Sequence, residues 1–260
     1  SKVTVTPADL GLDYENVTLT TSDGVDLAAW YIPASSSSAV VVMHGAGSTR
    51  SDVLAEASVL HRNGFGTLLL DARGHGDSNG TAMDFGWFGD PDISAGTAYL
   101  ATRSDVDPEH IGVVGFSMGG EEAIGAAATD PLIAAVVAEG ATARTADDKA
   151  WLSDVYGWRG WLQEQIEEVQ FGITDLLAEA SSPTTLRDAV TAATDTSFLL
   201  VTAGTVADEQ HAAEFIQNAA PERVTVWTVD GATHTGGLDA EPAAWEERVI
   251  RFLDENLGSR

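Results

Sequence analysis

Ser117 stands in Gly115-Phe116-Ser117-Met118-Gly119, at the end of an apolar run that begins at Ile111 and just ahead of a helix-like stretch, 121–129. A serine hydroxyl is a poor nucleophile until a base removes its proton. A sharp strand-to-helix turn lifts such a hydroxyl above a sheet edge, and it needs glycine on either side because side chains at 115 and 119 would collide with neighbouring backbone. The helix that follows points its N-terminus at the same place, where partial positive charge and free N–H groups suit an oxyanion. The Met118 N–H, directly after the serine, is one expected donor. This is the apparatus for attack on a carbonyl, and it calls for two more groups. One is a base, for which a histidine with a pKa near neutral is suited; the other is a carboxylate that fixes the histidine tautomer and stabilises the imidazolium. Six histidines are present: His44, His61, His75, His110, His211 and His234.

The elements that must bring these groups together are readable from hydrophobic period and turn signals. Residues 17–21 and 25–32 read as a hairpin around Ser22-Asp23-Gly24. Continuous apolar runs at 39–43, 66–70, 111–116, 133–138, 198–201 and 224–229 read as strands buried on both faces of a parallel sheet. Helical patterns at 51–63, 91–103, 121–129, 208–218 and 242–257 alternate with them. The expected fold class is α/β: an eight-stranded, mostly parallel sheet flanked by helices. Between 142 and 195 the alternation stops, and helical patterns at 151–156, 161–171, 175–180 and 185–193 follow one another without a strand. This reads as a helical cap (142–195) inserted into a core made of 1–141 and 196–260. The cap carries Trp151, Tyr156, Trp158, Trp161 and Phe171, and the 79–89 loop carries Phe85, Trp87 and Phe88. Most of these aromatics are expected to fasten the cap to the sheet. Trp87, Phe88, Trp151, Trp158 and Trp161 are the candidates to line an apolar acyl pocket.

Parallel α/β sheets carry their functional groups in loops at the strand carboxyl ends. Those loops hold His44-Gly45-Ala46-Gly47, Asp71-Ala72-Arg73-Gly74-His75-Gly76, Ser117, Glu139, Asp208 and His234. The chain order Ser, Asp, His, the elbow after the fifth strand, the His44-Gly45 turn and the segment Arg73-Gly74-His75-Gly76-Asp77-Ser78 together resemble the α/β-hydrolase superfamily, nearest to serine esterases and peptidase-like hydrolases with a helical cap. The resemblance covers the whole chain apart from the cap. It implies His234, in Gly231-Ala-Thr-His-Thr-Gly-Gly237 past the last strand, as the base. It implies Asp208, after the seventh strand, as the carboxylate, with the adjacent Glu209 as runner-up. It implies the Ala46 N–H as the second oxyanion donor, and structural roles for His44 and His75. The expected activity is that of a serine hydrolase, a carboxylesterase acting through an acyl-enzyme on a small-molecule ester. Amide, peptide or thioester cleavage and acyl transfer are alternatives on the same triad, and a non-catalytic binding module is the alternative of another class. Dehalogenase and epoxide hydrolase chemistry normally places Asp at the elbow, so Ser117 argues against both.

No cofactor and no metal is expected: the glycine-rich loops fit neither a dinucleotide nor a P-loop pattern, and no short His-x-x-x-His ligand pair occurs. The chain has no cysteine, which removes disulfides and thiolate chemistry. No run of 18 apolar residues marks a membrane span. A soluble, cytoplasmic protein is expected if the chain starts at Ser1, an extracytoplasmic or anchored one if a segment precedes it; oligomeric state is not legible. Against 13 Lys+Arg stand 40 Asp+Glu, a formal net charge of −27, and the lysines are Lys2 and Lys149 alone. Such a surface repels nucleic acid and anionic membranes. The acids are spread along the chain, as in proteins whose self-repulsion is relieved by salt screening. Thermal melts should therefore show a higher midpoint in molar KCl than in low salt; an unchanged or lower midpoint would contradict salt adaptation.

Overall fold

In the computed structural model, which describes residues 2–81 and 86–258, the strands are β1 (Glu15–Thr20), β2 (Asp26–Ile32), β3 (Ala39–Met43), β4 (Gly66–Leu70), β5 (Ile111–Phe116), β6 (Ala135–Glu139), β7 (Ser197–Ala203) and β8 (Val224–Val229). They form one sheet in the order β1-β2-β4-β3-β5-β6-β7-β8. β1 and β2 pair antiparallel, β2 joins β4 antiparallel, and every later pairing is parallel. The helices are α1 (Leu54–Arg62), α2 (Gly89–Ala101), α3 (Met118–Ala127), α4 (Leu152–Tyr156), α5 (Trp158–Leu177), α6 (Leu186–Ala192), α7 (Ala207–Gln217), α8 (Gly237–Ala240) and α9 (Pro242–Asn256).

The apolar runs are continuous because the sheet is covered on both sides. Along β3, Val41 and Met43 enter one core cluster with Ile93, Ile124, Leu186 and Ile216, from α2, α3, α6 and α7. Val40 and Val42 enter the other, with Leu54 and Leu60 of α1 and Trp245 and Leu253 of α9. The two clusters thus divide alternate residues of one strand, as the two-residue repeat of a strand requires.

The region 142–195 departs from the expected single cap. Helix α6 packs on α3 and α7, and its Leu186, Ala189 and Val190 lie in the first core cluster. It belongs to the layer covering the sheet, because those three positions repeat at helical spacing and find an apolar surface there. The patterns at 161–171 and 175–180 fuse into the 20-residue α5. α5 packs on α4 and buries Gly160, Glu167 and Phe171. Its other side carries exposed large apolar residues, Trp158 at 71 % and Leu176 at 82 % among them. No helix of the described residues is long and apolar enough to cross a membrane.

The turn from β5 into α3 is where the packing is tightest. A Cβ on Gly115 would lie 2.2 Å from the Gly119 carbonyl oxygen, and one on Gly119 would lie 2.5 Å from the His44 carbonyl oxygen. Backbone cannot move aside as a side chain can, so Gly115→Ala should lower unfolding free energy by roughly 1–3 kcal/mol or more, the usual range for overpacking. Urea denaturation followed by circular dichroism measures it; an unchanged midpoint would contradict this account of the elbow.

Candidate active site

Ser117 sits between β5 and α3 with φ 53° and ψ −122°, a backbone conformation that side-chain-bearing residues rarely adopt. Its N–H donates to the Glu139 carbonyl at 2.7 Å, which ties the elbow to the end of β6. The loop after β8 carries His234. The Ser117 hydroxyl lies 2.9 Å from His234 Nε2, and His234 Nδ1 lies 2.6 Å from Glu209 Oε1. A carboxylate can only accept, so Nδ1 carries the proton and donates to Glu209, leaving Nε2 free to accept from the serine hydroxyl. The hydrogen bond to Glu209 favours the imidazolium and raises the His234 pKa above its ordinary value; partial burial opposes it.

The carboxylate beside His234 is Glu209, in place of the expected Asp208. Helix α7 starts at Ala207, so the two acids occupy its first turn, about 100° apart around the axis. Glu209 turns inward, 1 % exposed, and its second oxygen accepts from the Ala203 N–H at 2.8 Å. Asp208 faces outward and accepts from the Tyr156 hydroxyl of α4 at 2.6 Å. The longer glutamate side chain reaches His234 from the third helical position, whereas the aspartate bonds a tyrosine of the helical insert.

His44 and His75 fasten the loop that holds Ala46. The His44 Nδ1–H donates to the Gly45 carbonyl at 2.7 Å, and Nε2 accepts from the Ala72 N–H at 3.1 Å. Burial pushes His44 down to about 4, so it stays neutral as this pattern requires. The His75 Nδ1–H donates to the Arg73 carbonyl at 3.0 Å, and Nε2 accepts from the Gly47 N–H at 3.2 Å. Nearby, the Arg50 guanidinium pairs with buried Asp71 and with Asp77. Ala46 thereby borders the same cavity as Ser117 and His234. Met118 is the first residue of α3, where a backbone N–H has no acceptor within the helix.

That cavity has a volume of about 210 Å³, and its wall includes Gly45, Ser48, Asp52, Glu56, Phe116 and Thr235. None of the five expected pocket aromatics borders it. Trp87 is buried and its indole N–H donates to the Arg144 carbonyl at 2.9 Å. Phe88 lies under the Arg73 guanidinium. Trp151 packs with Leu152, Ala212 and the His211 ring, joining the helical insert to α7. Trp158 and Trp161 are 71 % and 56 % exposed on α5. Phe85 lies outside the described residues. Aromatic content in an inserted segment marks it as a place where packing happens, without telling inward from outward positions.

Two glutamates at the site carry no role in the sequence reading. Glu139 accepts from the Gly237 N–H at 2.7 Å and from the Trp245 indole at 2.9 Å, anchoring the loop that carries His234. Glu56, on α1, borders the cavity; burial pushes its carboxyl up to about 7, and the Glu139 and Asp239 carboxylates act in the same direction. Glu56 lies inside a helical pattern that gives no hint of it, whereas Glu139 ends a strand at the edge where such groups collect.

The profile of the serine aminopeptidase S33 family matches residues 34–172, just over half of the chain and including the Ala46 loop and the elbow. The chain belongs to this family of α/β-hydrolases. An esterase of Pyrococcus furiosus has a similar structure, with TM-score 0.75 and 26 % identity over 99 % of this chain and 97 % of that one. An uncharacterized protein of Mycobacterium tuberculosis is 36 % identical over 125 residues, 47 % of this chain and 44 % of its own length. A thiohydrolase of Aspergillus aculeatus is 31 % identical over 131 residues, 48 % of this chain and 41 % of its own. The chain spans less than half the length of these two curated relatives. The S33 profile ends before Glu209 and His234, so the two partners of Ser117 are read from the fold and not from the match.

If His234 serves as base it must be neutral, so activity should rise as pH climbs through its raised pKa, with the limb above about 6.5. Glu209→Gln should shift that limb to lower pH and cut kcat by roughly 10³–10⁴-fold, as loss of the tautomer-fixing carboxylate does elsewhere. Asp208→Asn should leave kcat close to the wild-type value, because Asp208 bonds Tyr156 and not His234. The reverse ranking in ester-hydrolysis profiles would return the role to Asp208.

Proposed function

We propose that this chain is a serine hydrolase that cleaves small carboxylic esters through an acyl-enzyme. The reading is carried by one observation, the unbroken pair of hydrogen bonds from Ser117 Oγ to His234 and from His234 to Glu209. Ser117 Oγ attacks the ester carbonyl while His234 Nε2 takes its proton. Glu209 keeps the imidazole in the tautomer that accepts at Nε2 and stabilises the imidazolium as it forms. The Met118 and Ala46 N–H groups hold the oxyanion; one such donor is worth about 10²–10³ in rate. His234 then protonates the leaving alcohol, and water repeats the sequence on the acyl-serine. Alcohol leaving groups demand less of the site than amines, and the 210 Å³ cavity suits a short acyl group.

The 31 % identity to a thiohydrolase favours thioester cleavage as the second reading. The same Ser117 attack serves both, since only the leaving group differs.

A fluorophosphonate probe should label the wild type and leave Ser117→Ala unlabelled. With p-nitrophenyl esters of rising chain length, kcat/KM should be highest for short acyl chains and fall once the chain outgrows the 210 Å³ cavity. Acyl thioesters of the same length should be slower. No labelling and no turnover on either series would overturn the hydrolase reading, and faster thioester turnover would replace the ester assignment.

A further inference from the structure

Helix α5 has one buried side and one bare apolar side. Trp158, Trp161, Leu162, Ile166, Val169, Ile173, Leu176 and Leu177 are between 47 % and 82 % exposed. At 100° per residue they fall in a stripe opposite Gly160, Glu167 and Phe171, the residues that α5 buries. Among the described residues the only other exposed large apolar side chains, at 40 % to 49 %, are Val155 and Tyr156 of the adjoining α4, and Val5 and Leu10 near the chain start. Among the described residues, large apolar exposure is thus concentrated on one helix, where scattered single residues would be the ordinary case.

The stripe has a symmetry in its spacing. Trp158, Leu162, Ile166, Val169, Ile173 and Leu177 follow one another at intervals of 4, 4, 3, 4 and 4 residues, a series that reads the same from either end. A helix with such a series can lie antiparallel on its own copy across a two-fold axis between 166 and 169. Trp158 then meets Leu177, Leu162 meets Ile173 and Ile166 meets Val169, each pair occurring twice. Intervals of three and four are the spacing with which packed helices interlock.

Size and charge favour the same occupant. Eight side chains that are about half exposed or more, some aromatic, offer on the order of 1,000 Å² per copy, against the roughly 800 Å² per partner of a standard stable interface. A net charge of −27 opposes an anionic lipid surface, and Arg159 is the one basic residue within α5. Two copies also repel overall, but the stripe itself holds no acid, so apolar contact need not bury a carboxylate.

We propose that α5 is the interface of a two-fold symmetric homodimer, in which the bare stripe of one copy packs antiparallel on that of the other. The site around Ser117 lies on the α/β core and is complete within one chain, so dimerisation stands apart from the chemistry.

Light scattering with size-exclusion chromatography at micromolar concentration, in moderate salt, should give twice the 27.2 kDa of one chain. Ile166→Glu, a change at an exposed position, should give the monomer mass with an unchanged circular dichroism spectrum. Register is tested with single cysteines, since the chain has none of its own. Under mild oxidation, Leu162→Cys mixed with Ile173→Cys should form a crosslinked dimer. Leu162→Cys alone should not, because the two copies of residue 162 are about 16 Å apart in this arrangement. A monomeric wild type, a dimer that survives Ile166→Glu, or self-crosslinking of Leu162→Cys would each overturn the proposal. So would a monomer that sediments with phosphatidylcholine vesicles through an intact stripe, which would give the face to a lipid surface instead.

Discussion

Glu139 holds two loops at once. Its carbonyl takes the Ser117 N–H, and its carboxylate takes the Gly237 N–H and the Trp245 indole. The Ser117 turn and the His234 loop are therefore both referred to the end of β6, with α9 tied in through Trp245. A carboxylate only 3 % exposed would be costly without donors, and burial does raise its pKa; the two N–H donors oppose that rise. A hydrogen bond of 2.9 Å between residues 117 positions apart survives only if both loops are fixed to a common support. Near the start of α3, Glu121 acts in a similar way, accepting from the Thr142 and Ala143 N–H groups and so fixing the chain where the helical insert begins.

The strands were legible almost to the residue, because a sheet covered on both faces forces continuous apolar runs. β3, β4, β5 and β8 coincide with the runs at 39–43, 66–70, 111–116 and 224–229. The elbow was legible because its glycines are demanded by backbone contacts within a few residues. The choice between Asp208 and Glu209 was less so. Both are acids in the first turn of one helix, and which of them faces inward depends on where α7 begins relative to the edge of β7. That is a property of packing between elements, and a shift of one residue exchanges the two. The pocket aromatics fail for a related reason. Trp158 and Trp161 have the composition of a binding wall but stand on the outer side of α5, and the face a helix presents is decided by its neighbours.

The family relationship and the geometry bear on different regions of the molecule. The S33 match covers the Ala46 loop and the elbow, where short-range backbone constraints keep the pattern recognisable. Glu209 and His234 lie beyond it and are joined to Ser117 only by the fold. His44 and His75 bond backbone at both ring nitrogens, whereas His234 bonds a carboxylate on one side and a hydroxyl on the other. The histidines at this edge thus divide into two that hold loops and one fit to move a proton.

The site turns on the hydrogen bond that the protonated Nδ1 of His234 donates to Glu209. Proton NMR of the protein labelled with ¹⁵N at histidine reads that bond directly. A low-field resonance coupled to the His234 Nδ1 is expected in the wild type and in Asp208→Asn, and should vanish in Glu209→Gln. A resonance that persists without Glu209, or that disappears when Asp208 is changed, would contradict the account.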